Sequence, residues 1–159
     1  MLIRQASRND ARRISYLIQK NTEKVVENNY SSEQIEVWKK ANTQRAIEQK
    51  MEERILFVAF DKGKLVGTIG LQGNEVLGLY VSHTQRGKGI GRQLLKHLEA
   101  FACAHQIESL ILTATPSGFP FYERNGFEAQ EAVIVKIDGV DFMETKMIKK
   151  QISPNNSLR

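Results

Sequence analysis

Glu75-Val76-Leu77-Gly78-Leu79-Tyr80-Val81-Ser82-His83-Thr84-Gln85-Arg86-Gly87-Lys88-Gly89-Ile90-Gly91-Arg92 is the stretch on which the fold turns. Its first part is an apolar, strand-like run. In its second part Gly87, Gly89 and Gly91 alternate, a pattern that lets the backbone turn tightly and bring amide N–H groups close to a ligand. Arg86, Lys88, Arg92 and, one turn further on, Lys96 add positive charge with no acid between them. Ile90, Leu94, Leu95, Leu98, Phe101 and Ala102 then follow helical spacing to about His105. A strand, a glycine loop and a helix N-terminus in that order make a natural anion cradle, and a phosphate group is its expected occupant.

Upstream, residues 2 to 6 read as a first strand. Ser7 and Asp10 carry the capping chemistry for a helix of about a dozen residues with Ile14, Leu17 and Ile18 on one face. A polar loop through Asn28-Asn29-Tyr30 leads to a second helix, capped by Ser31 or Ser32, where Ile35 and Trp38 share a side. Thr43 opens a further short helix ending near Glu53. The period then changes. Ile55 to Phe60, Leu65 to Leu71 and Glu75 to Val81, joined by turns at Asp61-Lys62-Gly63-Lys64 and Gln72-Gly73-Asn74, predict an antiparallel meander. Gly78 inside the third strand marks a bulge or a close approach.

Downstream of the loop helix, Ile107 to Thr113 is strand-like, so a strand-helix-strand unit encloses the cradle and predicts a parallel pair within a mixed sheet. A short helix around Phe121 to Arg124, the turn Asn125-Gly126, and two strand-like runs joined by Asp138-Gly139 complete the pattern. The class is α/β with mixed layers. Residues 1–150 read as one domain, and residues 151–159 as a loose polar tail.

Composition narrows the function classes. The chain has 159 residues, 41% apolar and 26% charged, which are the proportions of a soluble globular domain. No apolar run approaches membrane-spanning length. Cys103 is the single cysteine, so no intrachain disulfide forms and a cytoplasmic location is expected. The net charge of +5 is spread along the chain except between Arg86 and Lys96, which favours a small phosphorylated ligand over a nucleic acid. His83, His97 and His105 lack metal-ligand spacing and read as solvent-facing, and no metal is expected. Cys103, on the core side of a helix without a base beside it, reads as a structural thiol.

The loop fits neither the Walker A spacing nor GxGxxG, since it reads Gly87-x-Gly89-x-Gly91. What it does fit is R-x-x-G-x-G, from Arg86 through Gly89 to Gly91. Leu79-Tyr80-Val81 precede it, and a helix, a strand and Phe121-Tyr122-Glu123-Arg124-Asn125-Gly126-Phe127 follow. With these two motifs at this separation the chain resembles the GNAT superfamily of acetyl-CoA-dependent N-acetyltransferases. The resemblance is strongest from about Glu75 to Phe127 and extends, through strand order, over residues 1–149.

The resemblance implies a central, mostly antiparallel, twisted sheet of six to seven strands with four to five helices, splayed between the fourth and fifth strands. It implies that Arg86, Gly87, Lys88, Gly89, Ile90, Gly91 and Arg92 cradle the coenzyme A pyrophosphate. The pantetheine arm then lies along Leu79, Tyr80 and Val81 like an added strand, with Phe121 and Tyr122 across the gap. Tyr122 matches the tyrosine that acts as general acid toward the departing thiolate, and backbone N–H groups near Leu79 to Val81 polarise the carbonyl. Glu75, eleven positions before Arg86, matches the glutamate that serves as base in the histone-acetylating branch; an ordered water is the alternative, and so is a merely solvated Glu75. Many relatives carry an asparagine where this chain has Ala114-Thr115-Pro116-Ser117-Gly118, and the Ser117 hydroxyl is the candidate replacement.

The resulting expectation is direct transfer of acetyl from acetyl-CoA to a primary amine, on a small molecule or a peptide, in a ternary complex, by a monomer or homodimer acting apart from nucleic acid and membranes. A coenzyme-binding sensor without efficient catalysis is the second reading, and a basic nucleic-acid-binding protein the third. Tyr30 and Trp38 read as packing residues in the region where this superfamily forms its acceptor wall.

Overall fold

The computed structural model describes residues 1–25 and 30–152. The polar loop at Asn28-Asn29 and residues 153–159 of the expected tail lie outside that description. In chain order the elements are β1 (Leu2–Gln5), a 3-10 turn (Arg8–Asp10), α1 (Ala11–Val25), α2 (Ser32–Ala41), α3 (Gln44–Lys50), β2 (Ile55–Asp61), β3 (Lys64–Gln72) and β4 (Glu75–Val81). A second 3-10 turn (His83–Gln85), α4 (Ile90–Ala104), β5 (Leu110–Ala114), α5 (Phe119–Arg124), β6 (Glu128–Ile137) and β7 (Val140–Lys149) follow.

The capping residues act where their chemistry places them. Ser31 accepts from the Gln34 backbone N–H, and Gln34 returns a bond to the Ser31 N–H, closing a capping box on α2. Thr43 Oγ1 accepts from Ala46 N–H at the start of α3. Asp10 takes the Ser7 N–H at 2.8 Å and a two-pronged bond from Arg4, which ties β1 to the entry of α1.

The seven strands form one sheet in the order β1-β2-β3-β4-β5-β7-β6. All neighbours are antiparallel except β4 and β5, as the strand-helix-strand unit requires. That parallel contact is confined to one end: Glu75 lies opposite Ile111, and Ile111 N–H donates to Asn74 O. Beyond it the two strands part, and the sheet opens like a V toward the C-terminal ends of β4 and β5. Within β4 the register against β3 slips around Gly78, whose φ of +60° places it in left-handed backbone, and the strand bends where it leaves its neighbour.

Each sheet face carries its own core. On one, α4 lays Ile90, Leu94, Leu95, Leu98 and Ala102 over Phe57, Ile69, Leu71, Val76, Leu110 and Leu112. On the other, Ala11, Ile14 and Ile18 of α1 and Ile47 of α3 cover Val58, with Leu56, Phe60, Leu65 and Tyr80 alongside. Among the described residues, no helix is long and apolar enough to cross a membrane.

Three readings need correction. The strand expected from Ile107 begins at Leu110. Looseness after Gln151 does not extend to Ile152, which is buried, donates its N–H to Glu108 O and accepts from Cys103 Sγ at 3.0 Å. Two of the three histidines are not simply solvent-facing: His97 packs edge-on against Phe57 with ring centroids 4.9 Å apart, and His83 Nδ1 is buried without a hydrogen-bond partner among the described residues, whereas His105 is exposed as expected and stacks on Phe101 at 4.0 Å. An aromatic neighbour, which linear spacing does not reveal, draws His97 inward.

Candidate active site

The cradle is built by backbone geometry. Gly87 and Gly89 have φ of +78° and +77°, conformations that side chains rarely adopt, and a Cβ on either would meet nothing within 4 Å. Gly89 is the N-cap of α4, and no side chain caps that end. The first-turn N–H groups of α4 are therefore left for an external acceptor. Arg86, Lys88 and Arg92 are exposed around it, and Lys88 Nζ donates to Gln85 Oε1 at 2.9 Å. Gly91 is less exposed. A Cβ there would lie 3.4 Å from the Phe121 ring and 3.5 Å from Val81 Cγ2, so the loop, the end of β4 and α5 converge at this point. Ile90, placed with the cradle on sequence grounds, contributes its backbone there and sends its side chain into the core.

The open edge of β4 has a definite polarity. Ser82 N–H donates to Val66 O, and Tyr80 lies opposite Thr68, so the backbone groups of Tyr80 face β3 while those of Leu79 and Val81 face the gap. Asn21 of α1 reaches this strand end, where its Nδ2 donates to Val81 O and its Oδ1 accepts from His83 N–H. Leu79 N–H, Leu79 C=O and Val81 N–H remain on the edge. Tyr80 contributes otherwise than as a strand partner: its hydroxyl accepts from Trp38 Nε1 at 2.7 Å.

Across the gap stands α5. Pro120 occupies its first turn, and the Thr115 hydroxyl accepts from Gly118 N–H at 3.1 Å to shape its entry. Its far end is fixed by Lys149, which donates to Asn125 O at 2.8 Å and pairs with Glu99 of α4 at 2.7 Å. Tyr122 is held between Phe121 and Phe127, with ring centroids at 5.3 and 5.6 Å. Its hydroxyl has no hydrogen-bond partner among the described residues. Burial pushes its pKa up, with Tyr80 and Glu144 adding to the shift, so it remains a proton donor at neutral pH. Ser117 is exposed, its hydroxyl 3.3 Å from that of Thr115.

Glu75 is not brought to this mouth. It sits at the closed end of the V, opposite Gln72 and Ile111 and six residues before Val81. Six residues of strand span about 20 Å. The carboxylate that does lie near Tyr122 is Glu144 of β7, which sequence reasoning passed over. It accepts from Thr113 Oγ1 at 2.9 Å, and burial raises its pKa. Two surface hollows lie elsewhere, one beside α3 lined by Arg8, Arg45 and Glu48 and another beside Phe60, and neither shares a residue with the cradle. Among the described residues no group of acidic, histidine or cysteine side chains could hold a metal ion.

The sequence matches the acetyltransferase (GNAT) domain family over residues 26–149, most of the chain, and the chain belongs to that family. Solved structures agree. The GCN5-related N-acetyltransferase of Rhodopseudomonas palustris is 25% identical with a TM-score of 0.87, the match covering 94% of each chain. The PaiA N-acetyltransferase of Thermoplasma acidophilum, solved with coenzyme A, is 26% identical with a TM-score of 0.78, covering 94% of this chain and 98% of its own. An aminoglycoside 6'-N-acetyltransferase complexed with coenzyme A is 22% identical with a TM-score of 0.68 over 97% and 98% of the two chains, and shares the fold. No curated protein matches the chain.

Proposed function

We propose that the protein transfers the acetyl group of acetyl-CoA to a primary amine by direct attack in a ternary complex, with residues 1–150 as the catalytic domain. The observation that carries this reading is the convergence at the mouth of the V: a glycine cradle on the N-terminus of α4, an unpaired β4 edge, and a buried, protonated Tyr122 on α5, whose Phe121 ring meets Gly91.

The residues fit the donor. Arg86 to Arg92 hold the pyrophosphate through backbone N–H groups and flanking charge. Leu79 and Val81 bond the pantetheine amides as a neighbouring strand would, while Phe121 and the Ser117 hydroxyl line the opposite side. Tyr80 supports the arrangement through its ring and its bond to Trp38. Backbone N–H groups of this edge polarise the thioester carbonyl, and Tyr122 delivers a proton to the departing sulfur. An alkyl amine, with a pKa of about 10.4 by analogy with lysine, must lose a proton before it attacks. Glu75 lies too far from the mouth for that role, so an ordered water, the alternative to Glu75, takes the proton.

The deciding experiment measures thiol release from acetyl-CoA across an amine panel, with coenzyme A binding followed separately by calorimetry. Amine-dependent release supports the reading. Saturable coenzyme binding without release or hydrolysis above background overturns catalysis and leaves the sensor, and absence of coenzyme binding removes both.

A further inference from the structure

Glu144 is a half-buried carboxylate whose only hydrogen-bond partner among the described residues is Thr113, and it forms no ion pair there. Its surroundings are aromatic. Phe142 lies two residues earlier on β7, hence on the same sheet face. The Phe142 ring meets Trp38 at 5.6 Å and Tyr30 at 6.1 Å, and Tyr30 meets Trp38 edge-on at 5.5 Å. Trp38 in turn bonds the Tyr80 hydroxyl. Burial is the main cause that raises the pKa of Tyr30, Tyr80 and Tyr122, and the charge of Glu144 adds to the rise at each of them. Lys146, on the same face and opposite Thr113, makes no salt bridge to it, and Arg54 is turned to Gln72. A carboxylate withdrawn from water without a cation is costly, and a ligand that brings the cation relieves that cost. Aromatic faces around the carboxylate favour an ammonium for the same electrostatic reason.

We propose that Glu144 is the anionic anchor of the acceptor subsite, seating one ammonium of an aliphatic diamine beside Tyr30, Trp38 and Tyr80 while the other nitrogen, deprotonated, attacks the thioester, and so selecting cationic alkylamines over neutral or acidic acceptors. The inference rests on the acetyltransferase reading and assigns its substrate class. Glu144 is a specificity residue; the cradle acts without it, and Tyr122 keeps its proton chiefly through burial.

The test uses the full chain saturated with coenzyme A and follows binding of putrescine and of aniline, which is neutral at neutral pH, by calorimetry. The wild type should bind putrescine in preference to aniline. Glu144→Gln should weaken putrescine about tenfold or more, as expected for loss of a desolvated charge partner, with coenzyme A affinity unchanged and Glu144→Asp retaining most of the binding. In turnover, KM for putrescine should rise with kcat altered far less. Equal putrescine affinity in wild type and Glu144→Gln, or no preference of the wild type for putrescine over aniline, overturns the inference. The wild-type preference holds independently of how either variant folds. Failure of coenzyme A to bind overturns instead the acetyltransferase reading beneath it.

Discussion

Tyr122 keeps its proton because its surroundings exclude water and because Tyr80 and Glu144 disfavour a second negative charge nearby. With the phenol pKa raised above its ordinary value of about 10, the donating form persists through the mildly alkaline range, and kcat is not expected to fall there on account of Tyr122. Tyr122→Phe leaves the ring between Phe121 and Phe127 and removes only the hydroxyl. Steady-state kinetics should show kcat reduced about 100-fold with coenzyme A affinity intact, and unchanged kcat would strip Tyr122 of its role. Tyr122 was legible in the sequence because it sits in a contiguous string, Phe121 to Phe127, at a fixed remove from the glycine loop. Glu144 was not, because a glutamate alternating with Met143 and Thr145 looks like any solvent-facing strand residue. Only the placement of β7 between β5 and β6 brings it beside Thr113.

At the scale of elements, the junction of β1 and α1 depends on Asp10, 3% exposed and bonded to Arg4 and Ser7. The Arg4 hydrogen bond is the main cause holding its pKa below the ordinary carboxylate value. A depressed folded-state pKa means that the stabilisation is fully present above the unfolded value of about 3.9 and is lost as pH falls through the folded one. Asp10→Asn should therefore cost about 2 kcal/mol in denaturant melts at neutral pH, and the two proteins should converge in stability below about pH 3. Packing of α4 on β3 is equally specific. A Cβ at Gly67 would lie 2.7 Å from Leu94 Cδ1 and 3.2 Å from both Ile90 Cγ2 and Tyr80 O. Leu94 is fully buried and has nowhere to retreat. Gly67→Ala should destabilise by about 2 kcal/mol and weaken coenzyme A binding, since the first turn of α4 is what it lifts. Element boundaries followed from periodicity and caps, as at Ser31 and Thr43. The start of β5 did not, because Ile107 is apolar yet belongs to the turn that closes α4, where its N–H bonds Ala102 O.

For the whole molecule, the topology reads from one grammatical unit: a meander, then a crossover helix, then a parallel strand that cannot stay paired. The closing step is less visible in the sequence. Ile152 sits in the α4-side core, 8% exposed, with Cys103 Sγ bonded to its carbonyl, so the chain beyond β7 ties back onto α4. Ile152→Ala should cost about 2 kcal/mol in a denaturant melt, and no measurable loss would mean that this packing contributes nothing in solution. The site is polarised by the same economy of partners. Because Asn21 occupies Val81 O, the free edge of β4 spells donor, acceptor, donor from Leu79 to Val81. An incoming chain must answer with acceptor, donor, acceptor, so its single N–H in that register is the one group with no substitute. N-methylation of the pantetheine amide that supplies it should weaken binding about tenfold or more in calorimetry, while methylation of the other amide should be tolerated. On the proposed acetyl-CoA reading the gap in the sheet works as a three-letter reader, and α1, by silencing the fourth letter, sets the phase in which the thioester is presented.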